Sequence, residues 1–396
     1  MAEPPSLQAA VLVVHSPDSK PEPLQALAAR IAQAAEAEVE AATGAAWEFV
    51  QPLPRALDEA RTASVADFLS KAMTAMSEGL LDLVVVLTDV PISGQDRTLV
   101  HGAHSRTARV AVMSTHRLLQ DDRGREVRAL DDPAVVRNAA ALALHLVGHL
   151  VGLRHDRARG ASGLMAPFRF DAGRPEPRFS GGDRGRLKAG ARKLPDETVE
   201  DAGALRAFLF HVTSALRNPG EVLRPVARGR ALRIPLAMPS MLTAGIIPVI
   251  VLVFTAEIWD TALRMTLRGA AGFAVATVVA GSLYVASVQD LFFPRKEKET
   301  LTEHAAVVNT VVWLCMLEAL VGLFVLVALF VWGLERFAFP PELMARWTGI
   351  ERDLRFLDRV RVAVFVSTLG TLTAALGGGM DKRTVARNLA LFSDRA

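Results

Sequence analysis

His145-Leu-Val-Gly-His149-Leu-Val-Gly152-Leu-Arg-His155-Asp156 sets three histidines at successive offsets of four and six residues. On a helix, residues four apart lie about 40° apart around the axis, so His145 and His149 point the same way. Gly152 is a natural end for such a helix, because glycine takes the left-handed conformation of a C-terminal cap without strain. The chain then turns and His155 comes in from a loop. Three imidazoles aimed at one point are the donor set of a metal ion with one open coordination position. A start for the helix is visible upstream: Asp132 can cap, Pro133 fits the first turn, and an apolar run reaches Val151. The plainer alternative is chance placement on a buried helix, which is a rare event with nine histidines in 396 residues.

Met165 follows ten residues after His155, in Gly163-Leu164-Met165. The stretch from His145 to Met165 resembles the zinc site and methionine turn of the metzincin peptidases. Ahead of it, Leu81 to Val90, Leu99-Val-His-Gly102-Ala103 and Arg109 to Leu118 follow in the order of the archaemetzincins. The similarity covers about residues 8 to 195, with Phe179-Ser180 and a polar helical run to Leu194 closing the domain. It implies an α/β domain that binds zinc through His145, His149 and His155, with Met165 beneath the metal. It also implies peptide hydrolysis in which a glutamate beside the first histidine moves a proton. Two departures matter: Leu146 occupies the glutamate's place, and the only cysteine, Cys315, lies far from where that family's cysteine cluster holds a second zinc.

Leu146 cannot carry a proton, and general acid–base help is worth roughly 10²- to 10⁴-fold. The expectation is therefore a catalytically impaired pseudopeptidase. Asp156 is the nearest carboxylate in sequence, and the resemblance turns it away from the water to brace the fold. Glu126, Asp131 and Asp132 precede the helix and fall at its far end, about 20 Å away by helix rise. His101 and His104, on either side of Gly102-Ala103, match the family's substrate-side strand. They read either as solvated strand histidines or as a second metal or substrate contact.

The first 235 residues alternate strand-like and helical runs: Ala10 to His15, Leu24 to Ala37, Trp47 to Val50, Val65 to Met76, Leu81 to Leu87 and Val110 to Ser114. This α/β order carries enough apolar residues for its own core. The whole chain is 51% hydrophobic, and the apolar excess falls after residue 236. Leu236 to Ile258, Gly269 to Val288, Val307 to Leu334 and Val362 to Met380 meet the length rule of about 18 to 20 apolar residues for a bilayer span. The last, with Ser367, Thr368, Thr371 and Thr373, also reads as a buried or re-entrant segment. The expected organisation is a zinc-binding domain over 1–195, an amphipathic helix and basic linker over 196–235, an α-helical transmembrane domain over 236–380 and a tail over 381–396.

Arg217, Arg224, Arg228, Arg230 and Arg233 precede the first span, and no apolar run follows Met1, so the zinc domain and the tail are expected on the cytoplasmic face of the cell membrane. The 335–361 loop, with six arginines and five acids, argues the other way. Between the domains, Leu205, Phe208, Leu209, Val212 and Leu216 mark one face of a helix that either packs on the zinc domain or lies on the bilayer with Arg206 and Arg217 at the headgroups. The formal charge of +3 is an arginine effect without aromatic platforms, which points to anionic lipid rather than nucleic acid. Glu318 sits near the middle of the third span, where an ionisable group is costly and faces a partner or a polar interior. The favoured function is binding of a peptide or protein partner, or coupling of metal state to the membrane part. The alternatives are an active zinc peptidase with an unconventional base, and a transporter or channel subunit regulated by its zinc domain. Oligomeric state leaves no trace in the sequence.

Overall fold

The strand Leu7–His15 (β1) is the centre of a twisted sheet because seven of its nine side chains are buried, as a strand covered on both faces requires. It is flanked by Trp47–Val50 (β2) and Leu83–Thr88 (β3), both parallel to it. The sheet continues through Val110–Ser114 (β5), parallel to β3, and Gly102–Ser105 (β4), antiparallel to β5. Asp394–Arg395 adds an antiparallel edge by pairing with His104 and Ala103. A computed structural model describes residues 6–58, 62–93, 98–120, 125, 127–156, 163–199, 203–228, 239–293, 301–348, 354–377 and 394–395. Glu126, Arg230, Arg233, the first residues of the 236–258 segment, the end of the fourth apolar segment and most of the tail lie outside them.

Helices cover both faces of this sheet. Glu22–Thr43 (α1) and Pro133–Val151 (α3) share a core with Val11, Val13, Val85, Leu87 and Met113, while Val65–Gly79 (α2) lies against the other face. Asp132 caps α3 by accepting the Ala134 N–H at 2.7 Å, and Pro133 occupies the first turn, where its missing N–H costs nothing. Gly181–Ala191 (α4) is capped by Ser180 and closes over the end of α1 and α3. The chain divides into two units. The first holds residues 1–222, 293–308 and 391–396, and the second holds 223–292 and 309–390.

In the first unit, Ala204–Arg217 (α5) precedes Pro219–Arg228 (α6), whose first residues belong with it. The second unit is helical: Pro239–Val253 (α7), Ala256–Arg264 (α8), Leu267–Val288 (α9), the greater part of Glu303–Phe337 (α10), Pro341–Thr348 (α11) and Phe356–Gly377 (α12). Among the described residues, four helices are long and apolar enough to cross a membrane: α3, α9, α10 and α12. The apolarity of α3 has another cause, since it is buried in the first unit's core. The expected first span, Leu236 to Ile258, is not one straight helix: it breaks after Val253 and turns by 92° into α8. The Trp259 indole N–H donates to the Val253 carbonyl at 2.8 Å and satisfies a group the helix end leaves open. Trp259 sits among Phe339 and Trp347, which also stack near Phe254. Where α7 meets α12, Gly370 faces Val249 and Gly245, so the two backbones approach through small residues.

Candidate metal centre

His145 and His149, one turn apart on α3, meet His155 from the loop that follows Gly152. His145 Nε2 lies 3.0 Å from His149 Nε2 and 3.2 Å from His155 Nε2. Zinc–nitrogen bonds of 2.0–2.1 Å at tetrahedral angles put neighbouring donors about 3.3 Å apart. The spacing therefore fits one ion, and the three ligand atoms all lie within 4.8 Å of one another. The far side of each helix imidazole is held as well. His145 Nδ1–H donates to the Leu164 carbonyl at 2.8 Å, and His149 Nδ1–H donates to the Leu153 carbonyl at 3.0 Å. Each bond selects the tautomer whose Nε2 lone pair points inward.

The turn that delivers His155 is built at Gly152, whose φ of 106° is open to glycine and strained for other residues. Its N–H closes on Gly148 and His149 carbonyls, and Leu153 N–H also reaches the Gly148 carbonyl. Met165 is buried beneath the helix: a Cβ on Gly148 would come within 2.7 Å of its sulfur. The Asp156 N–H donates to the Met165 carbonyl, tying the His155 loop to the methionine turn, while the Asp156 side chain is exposed. Asp132 stands at the opposite end of the helix as its cap.

Leu146 is fully buried and packs towards β4, where a Cβ on Gly102 would come within 3.1 Å of its Cδ1. Two residues along the same strand, His104 is buried with its ring stacked on His149, centroids 4.4 Å apart. His101 packs edge-on against Phe168. The solvated reading is replaced for His104, which the antiparallel pairing of β4 turns onto the metal helix, while His101, just before that strand, is half-buried against Phe168. Burial first, then the neighbouring imidazoles, pushes His145 and His104 down to about 3, and burial pushes His101 down to about 4. These groups are neutral donors at physiological pH. Among the described residues, the charges acting on His145 and His104 come from histidines and Arg174.

Asn138, buried on α3, has no counterpart in the sequence reading. Its side chain accepts from Asp171 N–H and Arg174 Nε and donates to the Asp171 carbonyl, pinning the 171–174 loop. Arg174 lies over the Phe168 ring at 5.1 Å. The signal was a lone asparagine inside an apolar helical run, which a buried hydrogen-bond network explains.

No protein-family profile and no curated protein matches the sequence. Among solved structures the chain is similar to an archaemetzincin from Methanopyrus kandleri, at 22% identity over 47% of this chain and 96% of that one, with a TM-score of 0.33. It is also similar to a zinc-dependent peptidase from Methanocorpusculum labreanum, at 17% identity over 45% and 99% of the two chains, with a TM-score of 0.33. A third is the archaemetzincin of Archaeoglobus fulgidus in complex with malonate, at 15% identity over 44% and 98%, with a TM-score of 0.28.

Proposed function

We propose that this chain is a membrane-anchored zinc-binding protein whose first unit is a metzincin-like pseudopeptidase, working through a peptide or protein partner or through regulation. The observation that carries the reading is one arrangement: three inward Nε2 atoms at ion-binding separation, with Leu146 beside them packed on Gly102. The donor set, three imidazoles of which His145 and His149 are braced by backbone carbonyls, suits zinc. When bound, zinc supplies Lewis-acid polarisation of an oxygen at its open position. Leu146 offers no proton acceptor beside it. The position left open is suited to holding a carbonyl or carboxylate oxygen of a peptide.

The membrane half of the proposal is supported by α9, α10, α12 and the bent α7–α8 pair. An even number of crossings returns the tail to the side of the first unit, and the pairing of Asp394–Arg395 with β4 agrees with that. The basic segment before α7 favours the cytoplasm as that side. Purified protein assayed for zinc and for hydrolysis of unstructured peptides tests the reading: zinc present and hydrolysis absent is the expected pair. One observation favours a transporter or channel subunit instead: Glu318, midway along α10, has a buried Oε2 without a hydrogen-bond partner among the described residues.

A further inference from the structure

Helix α5 is amphipathic in the wrong sense for a helix that only closes a soluble core. Its small residues face inward: Ala207 is buried in a cluster with Leu301 and Ala305, and Ser214 is buried on the same side. The large apolar residues Leu205, Phe208, Leu209, Val212 and Leu216 fall within about 100° of the helix circumference, opposite Ala207. They point outward, with Leu205 and Leu216 each 73% exposed and Phe208 63% exposed. Five such residues in one stripe are a contiguous apolar surface rather than scattered exposure, and a surface of this kind marks an interaction site.

Three observations select its occupant. The inner face of α5 is fixed to Leu301 and Ala305, and Asn218, at its end, donates to Glu303 Oε1 at 2.6 Å. These contacts lie at and just before the first turn of α10, whose mainly apolar segment starts at Val307, about 3 Å of helix rise beyond Ala305. Residues 204–217 contain no acid, and Arg206 and Arg217, both exposed, border the stripe, Arg217 in an ion pair with Glu197. An apolar stripe bordered by arginine and held at the entry of a candidate span has the composition of a helix lying in the headgroup layer.

We propose that α5 is an interfacial helix that lies on an anionic bilayer surface with Leu205, Phe208, Leu209, Val212 and Leu216 sunk to the level of the upper acyl chains and Arg206 at the phosphates. This rests on the membrane half of the proposed function. The test uses the full chain in a Cys315→Ser background, with a single environment-sensitive fluorophore at Phe208→Cys, Lys20→Cys or Val275→Cys, reconstituted into phosphatidylcholine nanodiscs with and without one quarter phosphatidylglycerol. Lipids brominated near the headgroup end of the acyl chain are the quenchers. Quenching at 208 about threefold above that at 20, increased by phosphatidylglycerol and reduced by Arg206→Glu, is the expected result. A label at 208 open to aqueous iodide and untouched by brominated lipid overturns the proposal, and so does one shielded from both quenchers, which would mean a protein surface or second copy covers the stripe. The label at Val275, on α9, separates the two readings: if it too escapes brominated lipid, the membrane reading itself fails, whereas quenching at 275 without quenching at 208 refutes only the interfacial helix.

Discussion

Leu146 Cδ1 reaches to within 3.1 Å of where a Cβ on Gly102 would stand, so the side chain next to the first histidine packs against β4. The contact joins the metal helix to β4, and it does so with carbon. The wild-type chain is expected to give no metal-dependent peptide hydrolysis above background. Leu146→Glu, which sets a carboxylate beside the ion, is expected to raise hydrolysis by up to the ~10²-fold lower bound of general-base help. Robust wild-type turnover, lost on chelation and in His145→Ala, would show that another group serves as base.

The left-handed turn at Gly152 is expected to control the third ligand. Gly152→Ala places a Cβ about 3.2 Å from the Arg106 guanidinium and forces φ of 106° on a residue that avoids it. A loss of about 1–2 kcal/mol in stability is expected. Metal affinity should fall with it, because His155 follows the turn. Thermal melting with and without zinc measures both, and a smaller loss of stability with zinc than without would argue against the coupling.

Protons compete for the same imidazoles. His145 and His104 are held near 3 in the folded chain, below the ordinary value of 6.5, so below pH 6.5 the unfolded chain binds more protons than the folded one. The stability these groups contribute is present above about pH 6.5 and is lost as pH falls from there towards 3, by up to about 1.4 kcal/mol per pH unit for each group. Melting of the metal-free protein from pH 7 to 4 should show that slope. His104→Phe keeps the stacked ring and removes one titrating group, so its slope should be shallower; an unchanged slope would contradict the assignment.

The sequence made the site's donors legible because helical period and a glycine stop are local facts: His145, His149, Gly152 and Asp132 stand where their spacing put them. The alternating strands of the first unit were equally readable from short apolar runs. Direction was not. The period of Leu205 to Leu216 shows a stripe but not that the opposite, small-residue face turns inward. His104 gave no sign of burial, since only the antiparallel pairing of β4 aims it at α3. The break after Val253 has no glycine to announce it, and Pro248 lies inside the helix rather than at the bend. Across it, Trp259 reaches back to the Val253 carbonyl, a bond that no local pattern announces.

Topology has a direct readout. In a Cys315→Ser background, cysteines at Ser19 and Ser393 should resist a membrane-impermeant thiol reagent added to intact cells, while one at the exposed Glu342 should react. Reaction at 393 but not at 19 would mean an odd number of crossings.

Zinc content measured on the purified full-length protein tests the central claim most directly. Three imidazoles with His145 Nε2 3.0 and 3.2 Å from its two partners should retain about one zinc per chain after dialysis, and His149→Ala should lose it while the protein remains folded. Equal, near-zero zinc in the wild type and in His149→Ala, even after incubation with excess zinc, would contradict the account and leave the histidines as packing residues of the core.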